Sequence, residues 1–61
     1  MPNVMIDGRK IESIDAKRTL VKEVTDALEK AYKLPRSAYV IFIKESAAEN
    51  VAVGGELISD R

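Results

Sequence analysis

The sequence predicts an α/β fold: a single βαβ unit of two parallel strands and one long helix, followed by a short C-terminal hairpin. Three observations carry this reading. Apolar residues recur at helical spacing through the middle of the chain, and short β-type runs flank that stretch on both sides. Two strands joined through a helix are expected to pair in parallel, with a right-handed crossover. A length of 61 residues is expected to form one small domain.

The first strand is read over Pro2 to Ile6, with Asp7-Gly8 as its turn signal. Arg9 to Glu12 is a polar connection. Ser13 is a helix N-cap, and Asp15 complements the dipole in the first turn. Leu20, Val21, Val24, Ala27, Leu28, Ala31 and Tyr32 then repeat at helical spacing. Asp26–Lys30 and Glu29–Lys33 form acid-before-base pairs at i,i+4. Pro35 ends the helix and pushes Leu34 toward extended geometry, so the helix is expected from about Ile14 to Lys33.

Ala38 to Lys44 reads Ala-Tyr-Val-Ile-Phe-Ile-Lys, the second strand. It does not alternate with polar residues. Val40 and Phe42 point one way, and Tyr39, Ile41 and Ile43 the other. A strand apolar on both faces needs cover on both, and one helix covers only one. The second face therefore predicts self-association, which also enlarges the core of so short a chain. Beyond it, Asn50 and Gly54-Gly55 punctuate an extended piece that fits a small hairpin, able to pair with a neighbouring subunit.

Composition removes whole classes of chemistry. Ten Lys+Arg balance ten Asp+Glu for a net charge of +0, a poor basis for binding nucleic acid by counterion release. There is no Cys, His or Trp. Disulfides, thiolate nucleophiles, Cys/His zinc sites and a histidine base are excluded. The opening residues contain no apolar stretch of signal-peptide length, and no run is long enough to span a membrane. A cytoplasmic location is the expectation.

With His and Cys absent, the ordinary group nearest neutrality is a terminal α-amine, with a pKa of roughly 7.7–8.0. Methionine before proline is commonly removed from a new chain. Pro2 would then become a free secondary amine, both basic and nucleophilic. Burial or nearby cations would lower its pKa toward working pH and let it carry a proton from carbon beside a carbonyl. While Met1 remains attached, the same nitrogen is an amide without useful basicity. The plain alternative is a proline tolerated at a strand start.

Read whole, the sequence resembles the 4-oxalocrotonate tautomerase family. The resemblance rests on Met1-Pro2, on Asp15-Ala16-Lys17-Arg18-Thr19-Leu20-Val21 and Val24-Thr25-Asp26-Ala27, on Val40-Ile41-Phe42-Ile43-Lys44-Glu45, and on Asn50-Val51-Ala52-Val53-Gly54-Gly55-Glu56-Leu57. It implies βαβ subunits assembled as a hexamer, a trimer of dimers. It also implies a cofactor-free enzyme in which Pro2 is the general base for keto–enol isomerisation of 2-oxo or 2-hydroxy unsaturated carboxylic acids.

The family's remaining pocket residues are displaced or replaced in this sequence. An arginine following glycine before the helix is matched by Gly8-Arg9, but the gapless position is Glu12. An arginine in the second strand falls on Val40, and an aromatic before the Gly-Gly turn falls on Val51. The pattern marks a divergent member, whose substrate need not be a dicarboxylate muconate. Arg9 and Arg36 are the candidate substitutes, since a guanidinium can hold a carboxylate in bidentate fashion and favour enolate charge. For each, the competing reading is a solvated surface charge. Tyr39 and Phe42 fit either a pocket wall or core and interface filling.

Two other functional classes fit the length. One is a non-catalytic βαβ assembly module. The other is a ribbon-helix-helix DNA-binding dimer, which would need a basic strand and two helices.

Overall fold

The computed structural model describes residues 2–61. Strand β1 covers Asn3–Gly8, helix α1 Ile14–Tyr32 and strand β2 Val40–Glu45. The two strands pair in parallel, from Asn3 opposite Val40 to Gly8 opposite Glu45. Past a single 3₁₀ turn at Ala48–Asn50, β3 (Ala52–Val53) and β4 (Glu56–Leu57) form an antiparallel hairpin. Its loop is Gly54-Gly55, with φ of 62° and 85°. Positive φ at both central residues is the type I′ geometry that follows the right-handed strand twist, and glycine adopts it without steric cost.

Helix α1 starts and stops where local chemistry dictates. Ser13 is extended, and its Oγ accepts from the N–H groups of Asp15 and Ala16 at 3.2 and 3.3 Å. At the other end Lys33 leaves the helix in the left-handed region, φ 58°, while its N–H donates to the Glu29 carbonyl. Lys33 is thus the cap rather than the last helical residue, and Glu29 is not paired with it. The expected Asp26–Lys30 and Glu29–Lys33 pairs are both replaced: Asp26 pairs with Lys22 and Arg36, and Glu29 with Arg36.

Both strands are offset from their expected spans. Asp7-Gly8 belongs to β1 rather than to a turn, because Lys44 and Glu45 pair with it and Ser46 N–H donates to the Gly8 carbonyl at 2.8 Å. The start of the predicted second strand is instead a 3₁₀ turn, Arg36–Ala38, and β2 begins only at Val40. That turn is bonded from Ala38 N–H to the Pro35 carbonyl.

The sheet faces differ as the strand pattern predicts. Val4 and Ile6 of β1, with Ile41 and Ile43 of β2, are half-buried. On the other face Met5 stands beside Phe42 and they are 76% and 52% exposed. Leu20, Val21, Val24 and Leu28 of α1 are half-buried, whereas Ala27, Ala31 and Tyr32 of the same stripe are exposed. Tyr39 is the single buried hydrophobic side chain among the described residues.

The shape follows from this shallow core. The chain measures 44 × 24 × 14 Å with a radius of gyration of 14.9 Å. A compact chain of this length would have a radius near 10.5 Å, roughly. Its accessible surface is 4854 Å², against about 4,000 Å² expected for a folded monomer of 6.8 kDa. The excess lies in elements that spread apart: β4 of the hairpin packs on the 3₁₀ turn Ala48–Asn50, which packs in turn on the 3₁₀ turn Ile58–Asp60. No helix of the described residues is long and apolar enough to cross a membrane. One helix between parallel strands is also not the strand-and-two-helix plan of a ribbon-helix-helix dimer.

Candidate active site

Pro2 stands just before β1, half-buried. Proline has no N–H for a ladder, so it is tolerated at the first position of a strand. Its carbonyl still serves the ladder, accepting from Val40 N–H at 3.2 Å. Continuing the strand register by one step sets Pro2 beside Tyr39. The start of β1 and the start of β2 are therefore tied at the predicted proton-transfer residue. Met1, whose removal would free the Pro2 nitrogen, lies outside the described residues.

The segment leading into β2 is held from two sides. The Tyr39 hydroxyl donates to the Leu34 carbonyl and accepts from the Leu34 N–H, both at 3.0 Å. Its ring lies 6.4 Å from that of Tyr32, tilted by 54°. Arg36 reaches back onto α1, where its Nη1 donates to Asp26 Oδ1 at 2.8 Å and to Glu29 Oε1. Asp26 and Glu29 lie one helical turn apart, so one guanidinium spans both. The hydrogen bond from Arg36, helped by Lys22, holds the Asp26 carboxyl below its ordinary pKa. The hydrogen bond to Asp26, more than that to Glu29, raises the Arg36 guanidinium above its own.

The opposite end of the sheet has its own fastening. Glu45 closes β2 there. Its Oε2 accepts from Ile11 N–H at 2.7 Å and its Oε1 from Lys17 Nζ at 3.0 Å. The Ile11 N–H, then Lys17, hold the Glu45 carboxyl below its usual range. This bond fixes the connection that carries Arg9. Arg9 itself is exposed and, among the described residues, is the one arginine without an ion pair: Arg18 pairs with Asp15, Arg36 with Asp26 and Glu29, and Arg61 with Glu56.

Of the residues singled out in the sequence, the fold brings Pro2 and Val40 together directly, with Arg36 on the turn that leads to them. Arg9 stands just past the far end of β1, up to about 23 Å from Pro2 for about seven residue steps at roughly 3.3 Å each. Val51 follows the 3₁₀ turn Ala48–Asn50, in the segment that leaves the sheet at that same far end. It is exposed, and its carbonyl accepts from Ile58 N–H at 2.8 Å. Sequence reasoning missed Asp26, Glu29 and Glu45 as fasteners. The available signal was a pair of acids one turn apart on the helix that precedes a Pro-Arg turn.

Among the described residues of one chain there is no enclosed pocket, and no three His, Cys, Asp or Glu side chains gather as a metal-ligand set.

Comparison with known proteins agrees with this architecture from end to end. Residues 2–61 match the family described as Tautomerase enzyme. A probable tautomerase of Listeria innocua is 37% identical over 60 residues, covering 98% of each chain. The solved structure of DmpI from Archaeoglobus fulgidus is 41% identical, covers 97% of this chain and 100% of its own, and superposes with a TM-score of 0.83. YwhB, a homologue of 4-oxalocrotonate tautomerase, is 30% identical over 98% of both chains with a TM-score of 0.87. The βαβ unit, its C-terminal hairpin and a match that begins at Pro2 together show that this chain belongs to the tautomerase family.

Proposed function

We propose that the protein is an isomerase that moves a proton between the keto and enol forms of 2-oxo or 2-hydroxy unsaturated carboxylic acids, with Pro2 as general base once Met1 is removed. The observation that carries the reading is the placement of Pro2 at the start of β1, its carbonyl bonded to Val40 N–H, in a chain whose family match begins at that residue. The neutral secondary amine takes a proton from the carbon beside the carbonyl and leaves an enolate. The ammonium so formed returns that proton at another position of the conjugated system. Nothing is oxidised or reduced, and no cofactor enters the step.

The working site is shared between copies of the chain. Arg9 suits a substrate carboxylate, yet it stands at the opposite end of β1 from Pro2 in its own chain. A guanidinium from a neighbouring copy supplies the missing charge, favours the enolate and keeps Pro2 neutral. The apolar face carrying Met5 and Phe42 supports the same reading, since burying it requires a partner. The proposed assembly is a homohexamer, a trimer of dimers. Val40 and Val51 line the substrate with apolar surface in place of charged or aromatic groups.

A second reading, an assembly module without catalysis, is favoured by one observation: Arg36, the arginine nearest Pro2 along the fold, is held by its own helix. One set of measurements separates the two. Mass spectrometry is expected to show a chain lacking Met1. Ketonisation of 2-hydroxymuconate and of phenylenolpyruvate is then followed for the native protein and Pro2→Ala. Turnover that depends on Pro2 supports the enzyme. Turnover that survives Pro2→Ala unchanged overturns the proline mechanism, and no turnover with either substrate supports the module.

A further inference from the structure

We propose that Arg36 is a positioning residue, a clamp that fixes the start of β2 and through it the setting of Pro2. This rests on the proton-transfer reading given above. The geometry is a continuous chain of contacts. Asp26 and Glu29 of α1 hold the Arg36 guanidinium. Arg36 opens the 3₁₀ turn, and its carbonyl accepts from Tyr39 N–H at 3.2 Å. Tyr39 is the one buried hydrophobic side chain among the described residues, and its hydroxyl brackets both backbone groups of Leu34. The next residue, Val40, donates to the Pro2 carbonyl.

Each link restrains the one after it. Two carboxylates on a rigid helix fix the guanidinium more narrowly than a single surface pair, because both acceptors must be kept at once. A guanidinium committed to two acids is also poorly placed to serve as the receptor for a substrate carboxylate. Its contribution is therefore to the orientation of the base, and small errors there are felt in the rate.

A ligand and a clamp respond differently when the acids are changed. Asp26→Asn with Glu29→Gln leaves Arg36 in place but removes both negative charges that hold it, so only weaker bonds to neutral amide oxygens are left. A clamp loses function and a substrate ligand does not. The test compares Arg36→Gln, Arg36→Lys, the double carboxamide variant and the triple variant, in a protein confirmed to lack Met1. Arg36→Gln and the double variant are each expected to lower kcat by about fivefold with KM nearly unchanged. The triple variant should be no worse than either, since both break the same contact. Arg36→Lys should recover part of the loss. Amide exchange at Val40 should quicken in Arg36→Gln and in the double variant alike.

A double variant with native kcat beside an Arg36→Gln with raised KM overturns the proposal and makes Arg36 a substrate ligand. Losses that multiply in the triple variant overturn it also, as does unchanged Val40 exchange. Should Arg36→Gln fail to fold, the double variant and Arg36→Lys still decide the matter. Should the native protein turn over neither enol, the functional reading fails, and Val40 exchange alone decides whether the clamp exists.

Discussion

The two ends of the β1–β2 pair are fastened by opposite charge. At the Pro2 end a guanidinium, Arg36, sits between two carboxylates of α1. At the Gly8 end a carboxylate, Glu45, sits between a backbone N–H and the Lys17 ammonium. Both arrangements pin a connecting segment to the helix. They leave the ends chemically unequal. The Pro2 end has the candidate base but a committed arginine, whereas the Gly8 end has Arg9, exposed and unpaired among the described residues. The candidate base and the uncommitted cation lie a strand length apart, so one chain does not bring them together. Under the proposed function, each copy would contribute one end to a shared site.

The largest expected effect tests the Pro2 end. Pro2→Ala should lower kcat by about 10²–10⁴-fold, the usual range for a general base, with the assembly intact by sedimentation. Next comes the contact that would bring unlike ends together. Phe42→Asp places a charge on the exposed apolar face, and a buried aromatic anchor is worth at least about 2 kcal/mol in an interface. The dissociation constant should rise about 30-fold or more, and activity should fall with the assembled fraction. Full activity retained by dissociated chains would break the shared-site reading. Arg9→Gln should then raise KM by about tenfold for a carboxylate substrate, at unchanged oligomeric state. A native KM in that variant would leave the Gly8 end without a catalytic part.

What the sequence revealed follows from how locally each feature is determined. Helix α1 was legible because Ser13 and Pro35 act within a turn of its ends, whereas the left-handed cap at Lys33 was not. The family resemblance and the two-faced strand β2 were legible for the same reason: they reside in runs of adjacent residues. The strand limits were not. Asp7-Gly8 has the composition of a turn, and only the pairing with Lys44 and Glu45, far along the chain, keeps it extended. Pro2 stood out as chemistry because His and Cys are absent and its position is unusual. The partners of Arg36 could not be read from spacing, since Asp26 and Glu29 have lysines at i+4 that the fold leaves aside. Those lysines lost to an arginine delivered by the Pro35 turn, and no helical rule anticipates it.

The smallest expected effect concerns the Gly8 fastening. Its folded-state pKa lies below the ordinary glutamate value of 4.5, through the Ile11 N–H first and Lys17 second. A carboxylate with a depressed folded pKa contributes stability that is fully present above the unfolded value, and loses it as pH falls through the folded one. Glu45→Gln should therefore melt below the native protein at pH 7, by about 2 °C for a partly exposed contact of this kind. The gap should narrow once pH drops below about 4.5, as native Glu45 takes up its proton and comes to resemble the amide. Asp26 titrates in both proteins and cancels from the comparison. A gap that widened on acidification would mean that Glu45 is stabilised as the acid, and the two ends would no longer be fastened by opposite charge.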